Sequence, residues 1–234
     1  MRRGRGRVGS LVALVLGVCF CAVAFAQNDG DEQAWEYVGT FDDVDLYRME
    51  LEDEDQLAFR AAATTDVHIG KVVQVFTSPQ ERPEWVSRYN DDETLDRGED
   101  FERYWLHLGL PIFVSDRDFV LESRYQFDDE ERTFRSVTES VEDERRPEDD
   151  CCIRAEATVL YEIEALPGAE TTRVDMIAVT DLKGGLPGWV VRRAQRDWPV
   201  DTVQNLIDRA ADDEVQIDDR VQDWHQEDRR RPAM

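Results

Sequence analysis

The chain has 234 residues, of which 53 are acidic and 28 are lysine or arginine, so its formal net charge is −25 at pH 7. This length suits one domain with tails or two small domains. An acidic surface repels phosphate backbones and anionic headgroups, so the composition argues against nucleic-acid binding. Hydrophobic residues make up 41% of the chain, which is enough to form a core.

The N-terminus has the pattern of a targeting segment. Four arginines stand within the first seven residues, and an uncharged apolar run follows at residues 11–25. Ala24-Phe25-Ala26 then offers the small residues of a cleavage site. We therefore predict a signal peptide at 1–26, a flexible start at 27–34, and an exported protein, periplasmic or secreted. A membrane anchor formed by the same segment is the alternative, although spanning helices need about 20 apolar residues.

The cysteines and histidines predict neither a disulfide framework nor a metal site. Cys151 and Cys152 are adjacent. Neighbours on a strand point to opposite faces, and a bond between them would need strained geometry. We therefore predict free thiols, one of them buried. His68, His107 and His225 are scattered and lack partners at the spacing of metal ligands.

Most elements can be predicted from hydrophobic periodicity and turn residues. First comes a short helix or turn at 35–40 that plugs the sheet with Trp35 and Tyr37, followed by strands at 44–51 and 57–65. A helix at 68–76, capped by Asp66, and a turn at 79–87 come next. We then predict a charged loop at 90–100 and strands at 101–110, 118–127 and 133–141. A solvated turn at 142–150, strands at 151–163 and 171–181, and a helix from about 187 to 210 follow, with Pro199 expected to kink or divide that helix. We predict a charged, weakly ordered tail at 213–234.

The stretch at 111–127 reads as the wall of a curved sheet. From Asp118 onward its side chains alternate between two faces, and one face carries Phe119, Leu121, Ser123, Tyr125 and Phe127. Four large apolar side chains with one hydroxyl among them suit an inner wall.

The strand predicted at 151–163 offers a second wall with small residues in its middle. Ala155, Ala157 and Val159 share its apolar face. A filled core would more often use larger side chains there, so the alanines favour a cavity. A solid core without a ligand is the alternative.

The order of these elements predicts the fold class. An early hairpin, a buried helix, a late antiparallel run and a long closing helix describe an α+β fold, with a curved antiparallel sheet wrapped around a helix.

Three motifs in this order resemble the START family, the steroidogenic-acute-regulatory-protein-related lipid-transfer domains, and suggest a bacterial member. The first is Arg-Pro-Glu-Trp at 82–85, and the second is Ser-Asp-Arg-Asp-Phe-Val at 115–120, preceded by Pro111. The third is Asp-Leu-Lys-Gly-Gly-Leu-Pro at 181–187. The resemblance covers residues 35–212, which we interpret as a START-like lipid-binding domain.

The resemblance implies a helix-grip fold around a hydrophobic tunnel that holds one lipid or sterol. The tunnel-lining residues it suggests here are Phe119, Leu121, Ser123, Tyr125, Ala155, Ala157, Val159, Trp189, Val190 and Ala194. The lid it suggests is the loop at 109–116 together with the last helix at 186–210, and the lid residues are Ile112, Phe113, Gly184 and Gly185. Sterol-carrying members place an arginine where this chain has Ser123, and Arg124 should face outward because a one-residue shift changes the face.

The sequence therefore predicts a non-catalytic protein of the cell envelope that binds and transfers, or senses, a hydrophobic lipid. We expect a monomer that needs no cofactor and no metal, with transient membrane contact as a further expectation. The charges at 116–118 are expected to pair near the start of their strand. The alternative is an enzyme of the cyclase or aromatase kind on a related scaffold. A histidine or carboxylate beside Ser123 would favour catalysis.

Overall fold

The structure is a computed structural model that describes residues 35–51, 57–111, 114–148, 151–167, 170–186 and 188–225, with only the backbone of 188–195. The predicted signal peptide and flexible start lie outside these ranges. Within them, the strands are β1 (Glu36–Phe41), β2 (Val44–Glu50), β3 (Leu57–Thr65), β4 (Tyr89–Arg97), β5 (Phe101–Leu108), β6 (Arg117–Asp128), β7 (Thr133–Ser140), β8 (Ile153–Arg154), β9 (Glu156–Leu166) and β10 (Thr171–Asp181). The helices are α1 (Ile69–Thr77), α2 (Arg82–Trp85) and α3 (Gly188–Ala210), with a 3-10 turn at Pro79–Glu81.

These strands form one curved sheet in the order β1-β2-β3-β10-β9-β7-β6-β5-β4, and every pair along this path is antiparallel. The short β8 pairs with β6 in parallel. Helix α3 packs on β2, β3 and β10, and α1 lies between α3 and β9. This is the predicted α+β helix-grip fold. None of the helices in the described part of the chain is both long and apolar enough to cross a membrane.

The main core lies where α1 and α3 meet the sheet. Val72 and Val73 of α1, Ile163 of β9, Met176 of β10 and Leu206 of α3 are all fully buried. Helical spacing in α1 and α3 and alternation in the strands direct these side chains into the core. The core therefore sits at the end of the sheet that α1 covers.

Six of the seven predicted strands are confirmed to within two residues at each end. The seventh, predicted at 151–163, is interrupted at Ala155 and continues to Leu166 as β9. Helix α3 has the predicted bounds and is continuous through Pro199, so this proline does not divide it, and the kink that was the alternative stays a prediction.

Two polar segments predicted as non-strand form the edges of the sheet. Residues 35–40 are mostly strand β1, not a helix, and Tyr37 is 55% exposed and does not plug the sheet. The charged loop predicted at 90–100 is mostly β4. Edge strands have solvent on much of both faces, so the hydrophobic alternation that marks a strand is missing from their sequences.

The solvated turn predicted at 142–150 is confirmed as far as it is described, because 144–146 form a turn and most of 142–148 is exposed. Val141 N–H donates to the carbonyl of Val120, and Val120 is 1% exposed. The guanidinium of Arg146 lies 4.1 Å from the ring centroid of Trp105. Strand β6 itself is buried on both faces from Arg117 to Ser123.

The cysteine prediction was wrong. Cys151 and Cys152 form a disulfide between neighbouring residues, where free thiols were expected. Cys151 is exposed and Cys152 is half-buried, so neither matches the predicted buried thiol. The two residues lie in a turn before β8, not on a strand, and the argument from opposite strand faces does not apply to them.

The C-terminal tail is ordered up to residue 225, which corrects the prediction for that part of 213–234. Val215, Val221 and Trp224 are buried, at 4%, 0% and 6% exposure. The tail crosses α1 at Gly70, where a Cβ atom would lie 2.5 Å from Ile217 Cγ2. Three isolated apolar anchors among charged residues carry no periodicity, so the sequence did not reveal this packing.

Candidate ligand-binding site

A cavity of about 350 Å³ lies between the sheet and α3, at the end of the sheet where β6 begins and β10 ends. Its wall comes from β3, β5, β6, β9 and β10, from the loop at 182–186, and from α3. The lining residues are Leu57, Phe59, Arg88, Leu106, Leu108, Leu110, Arg117, Phe119, Leu121, Ala157, Val159, Ala178, Thr180, Asp181, Leu182, Lys183, Gly184, Leu186, Trp198 and Pro199.

Four of the predicted tunnel residues stand at this wall. Phe119 and Leu121 of β6 line it from one side, and Ala157 and Val159 of β9 from another. In both strands these residues alternate with side chains on the outer face, as the sequence pattern indicates. The small side chain of Ala157 leaves part of this space open.

Three predicted tunnel residues lie elsewhere. Ser123 is 3% exposed, and its hydroxyl is 2.7 Å from Thr138 Oγ1. Tyr125 belongs to an aromatic cluster described below. Ala155 is fully buried, belongs to a small apolar cluster of β5 and β6 residues, and does not line the cavity. Alternation places all three on the inner side of the sheet, but it does not indicate how far along the sheet the cavity extends.

The remaining predicted residues are on α3 and in the lid. Trp189, Val190 and Ala194 lie on the backbone of α3, and their side chains are outside the described part of the structure. Ile112 and Phe113 also lie outside the described residues. Gly184 lines the cavity with φ +70°, a conformation that favours glycine. Gly185 follows it in the chain and does not line the cavity.

Aromatic rings close the other end of the sheet. The ring of Phe76 on α1 lies 4.7 Å from that of Tyr161 and 5.5 Å from that of Phe134, between centroids. Trp85 stacks on Phe76 at 5.7 Å, and Tyr125 lies 5.8 Å from Phe134. Burial raises the pKa of the Tyr161 hydroxyl. We call this cluster the aromatic end; it fills the space into which the predicted tunnel would have continued.

A buried ion pair accompanies the aromatic end. Glu102 is the residue opposite Ser123 on the neighbouring strand, and it accepts a hydrogen bond of 2.8 Å from Arg82 Nη2. Burial alone would lower the pKa of Arg82, but Tyr104, Glu102 and Asp92 outweigh it, so the pKa is raised. The arginine of the Arg-Pro-Glu-Trp motif therefore anchors α2 to the sheet, a role that the sequence alone did not indicate.

Arg117 fastens the entrance of α3 to the start of β6. It is 1% exposed, and its Nε donates to the carbonyl of Leu182 at 2.5 Å. Nη2 donates to the carbonyl of Lys183 at 3.0 Å, and Nη1 donates to the carbonyl of Ser115. Burial lowers the pKa of Arg117, opposed only by the nearby charge of Asp116.

The other charges at 116–118 pair on the outer side of the sheet. Asp118 accepts from Trp105 Nε1 at 2.9 Å and from Arg154 Nη2 at 2.8 Å, and its pKa is lowered, since these bonds outweigh its burial. Asp116 lies 3.0 Å from His107 Nε2. The expected pairing near the strand start is present for these two carboxylates, but not for Arg117.

Several residues of the cavity wall were not predicted from the sequence. Leu57 and Phe59 share a face of β3, and Leu106 and Leu108 share a face of β5. Their alternation was visible and could have placed them on the inner face. Arg88 has no such signal, because it lies outside any element, in a left-handed conformation with φ +63°.

The chemistry of the wall suits binding more than proton transfer. No histidine is among the lining residues that the structure describes, and the carboxylate is that of Asp181. Asp181 Oδ1 already accepts from Lys183 N–H at 2.9 Å. Apolar side chains therefore form most of the wall, and the polar groups collect at the end where α3 begins.

Comparison with known proteins agrees with this architecture. The model of the START domain family matches residues 19–207. No curated protein sequence matches the chain. The fold is similar to the lipid transfer and protein localization domain of human StarD13, at 20% identity and a TM-score of 0.66, over 76% of this chain and 89% of that one.

Two further structures share the fold. Human StAR-related lipid transfer protein 5 is 18% identical, with a TM-score of 0.69 over 77% of this chain and 88% of that one. A fragment of the STAR-related lipid transfer protein from Xanthomonas axonopodis is 19% identical, with a TM-score of 0.68 over 76% of this chain and 99% of that one. Since the family model covers most of its length, the chain belongs to the START domain family, which is known for binding and transferring lipids and other hydrophobic ligands.

Proposed function

We propose that this protein binds one hydrophobic ligand in the cavity beneath α3 and carries or senses it without catalysing a reaction. The observation that supports this most directly is the cavity of about 350 Å³ with a largely apolar wall. Ligand pockets in proteins are typically about 300–1,000 Å³, mostly apolar, with a few polar groups that fix orientation. The volume is at the lower end of that range, which favours a ligand with a single chain or a compact ring system.

Entry of such a ligand requires part of the wall to move. The segment at 182–186 connects β10 to α3 and includes Gly184, whose positive φ an L side chain rarely adopts. Trp198 and Pro199 place α3 itself at the cavity wall. We propose that this segment and the start of α3 form the movable side of the cavity, together with the loop at 109–116.

We also propose that the protein acts in the cell envelope. The proposal rests on the basic, apolar and small-residue order of the first 26 residues. The intact mass of the protein recovered from its own host tests it. A mature chain beginning near Gln27 supports export with cleavage, and a soluble chain that retains residues 1–26 contradicts it.

The test of ligand binding compares two tryptophan substitutions on β9. Ala157→Trp places a large side chain in the cavity, whereas Thr158→Trp, the matched control, places it on the other face of the same strand. Protein purified from its own host is extracted, and the lipids are quantified by mass spectrometry. We expect Ala157→Trp to retain less than about a tenth of the wild-type lipid, equivalent to a loss of at least about 1.4 kcal/mol in binding.

Stability separates the possible results. Filling open space should change the free energy of unfolding by less than about 1 kcal/mol, whereas overpacking a solid core costs about 1–3 kcal/mol. A folded Ala157→Trp variant with the full lipid load would refute the proposed site. Wild-type protein that carries no hydrophobic molecule and binds none added in solution would refute the function itself.

A further inference from the structure

The cavity wall has an unusual balance of charge for this chain. Three cationic residues and one carboxylate line it, although the whole chain has 53 acidic residues against 28 basic ones. Lys183 is paired with Glu156, and Asp181 is held by a backbone N–H. The cationic charge that remains belongs to Arg88 and Arg117.

Arg117 is directed toward the cavity by the alternation of β6. It shares its face with Phe119 and Leu121, which form part of the apolar wall. Its guanidinium is buried and is held by backbone carbonyls, and none of the carboxylates in the described ranges forms an ion pair with it. A guanidinium has more N–H groups than these carbonyls use. Nη2 approaches Gly184, another wall residue, to within 3.5 Å of where a Cβ would stand.

Arg88 is a second arginine among the residues of the same wall. Its backbone is fixed, because its carbonyl accepts a hydrogen bond of 2.9 Å from Gly109 N–H. Throughout the described ranges, its side chain has no ion pair and no hydrogen bond. In contrast, the buried Arg82 at the aromatic end contacts both Glu102 and Asp92. Arg117 is buried and Arg88 is half-buried, and because a buried charge without a partner of opposite sign is costly, the cavity end is suited to receive an anion.

We propose that the ligand is an amphiphile with one apolar chain and an anionic head, a carboxylate or a phosphate, which binds to Arg88 and Arg117. The apolar chain lies along Leu106, Phe119 and Leu121, and the head group lies at the start of α3. Arginine binds both kinds of head through charge-assisted hydrogen bonds, about twice as strong as neutral ones. The inference rests on the proposed function and specifies the chemical class of its ligand.

The test compares heads of different charge on one chain length. Dodecanoate, dodecyl phosphate and the neutral dodecanol are titrated separately into delipidated protein, below their micellar concentrations, at about pH 7.5, where the carboxyl group is ionised. Affinity is measured by calorimetry. We expect at least one of the two anions to bind wild-type protein about tenfold more tightly than dodecanol.

Arginine substitutions identify the source of that preference. Arg88→Gln should reduce the ratio between anion and alcohol affinity severalfold, because the anion loses a charge-assisted hydrogen bond and the alcohol loses at most a neutral acceptor's share of it. Arg124→Gln is the matched control, because Arg124 lies on β6, its side chain is 71% exposed, and it does not line the cavity. It should keep the wild-type ratio. Arg117→Lys keeps the charge but loses the planar fork, so it should lower the ratio less than Arg88→Gln if the fold is retained.

Each result has a defined meaning. A preference confined to dodecyl phosphate or to dodecanoate supports the proposal and identifies the head. Equal affinity for all three probes in the wild type overturns the anionic head but leaves the proposed function standing. An anion-to-alcohol ratio in Arg88→Gln equal to that of the wild type overturns the assigned site. Failure of all three probes to bind overturns the proposal, whereas the proposed function is refuted only if the wild-type protein from its own host also carries no hydrophobic molecule.

Discussion

The two ends of the sheet differ although they are built from the same strands. At the aromatic end, β6 contributes Tyr125 and β9 contributes Tyr161, which pack around Phe76 of α1. At the cavity end, the same faces contribute Leu121 of β6 and Ala157 of β9, and α1 is absent from the wall. The position of α1 and the size of the side chains, rather than the direction in which they point, therefore decide where the sheet encloses space.

The first prediction tests this difference with one substitution made at both ends. Phe134 is fully buried among rings, so Phe134→Ala should leave a void and destabilise the protein by about 4 kcal/mol. Phe119 borders open space on one side and makes fewer contacts there. We expect Phe119→Ala to cost about 2 kcal/mol, below the usual range for buried phenylalanine.

Denaturant unfolding of delipidated protein provides the measurement, since a bound ligand would stabilise the wild type by itself. Equal losses for the two variants would mean that Phe119 is packed on all sides, and the cavity would then be a minor feature of the folded protein. A larger loss at Phe119 would reverse the comparison between the two ends.

The same comparison explains how much the sequence could predict. Alternation identified Phe119, Leu121, Ser123 and Tyr125 as one inner face, and the structure agrees for all four. Only the first two reach the cavity, because α1 fills the space in front of Tyr125. Where a helix comes to lie on a sheet depends on contacts distant in sequence, which a local pattern cannot supply.

The polar parts of the site were harder to predict. Arg117 belongs to a recognisable motif, but its partners are the carbonyls of Leu182 and Lys183, and every residue has a carbonyl. We predicted Asp66 as the N-cap of α1, but the cap is His68, whose Nδ1 accepts a hydrogen bond of 3.0 Å from Gly70 N–H. A cap is specified by backbone conformation, and either residue type offers an acceptor.

The second prediction concerns the tail that covers the aromatic end. Trp224 is 6% exposed, and its Nε1 donates to Asp129 Oδ1 at 3.0 Å, which joins the tail to the turn between β6 and β7. Trp224→Ala removes this hydrogen bond and a large buried ring, so it should cost about 3 kcal/mol. Asp219→Ala, on an exposed tail residue, should stay within about 0.5 kcal/mol of wild type.

The affinity for dodecanol shows whether the tail affects the cavity end as well as the aromatic end. If the tail stabilises only the aromatic end, Trp224→Ala should lower the midpoint of denaturant unfolding and leave the affinity for dodecanol unchanged in the folded protein. A large loss of affinity would show that the ends are coupled, and the distinction between a packed half and a binding half would be wrong.

The smallest expected effect is a pH dependence at the start of α1. His68 donates to the carbonyl of Gln222, and the rings of His68 and His225 lie 4.7 Å apart, between centroids. Burial is the largest influence on His68 and lowers its pKa; Glu170 opposes this and Lys71 adds to it. The neutral ring accepts from Gly70, and a protonated ring cannot.

Because the pKa of His68 is lower in the folded state than its unfolded value of about 6.5, the unfolded chain binds the proton first. The contribution of His68 to stability is therefore complete above about pH 6.5 and decreases as the pH falls below that value. His68→Asn keeps a capping acceptor and removes the titrating group. We expect the variant to match the wild type at about pH 7.5 and to lose less stability between about pH 6.5 and 5, by under about 1 kcal/mol. Amide exchange at Gly70 measures the cap directly, and its protection factor, corrected for the intrinsic exchange rate at each pH, should fall on acidification only in the wild type. An equal fall in both proteins would show that the cap does not depend on the charge of His68, and parallel unfolding curves would remove this residue from the pH dependence at the start of α1.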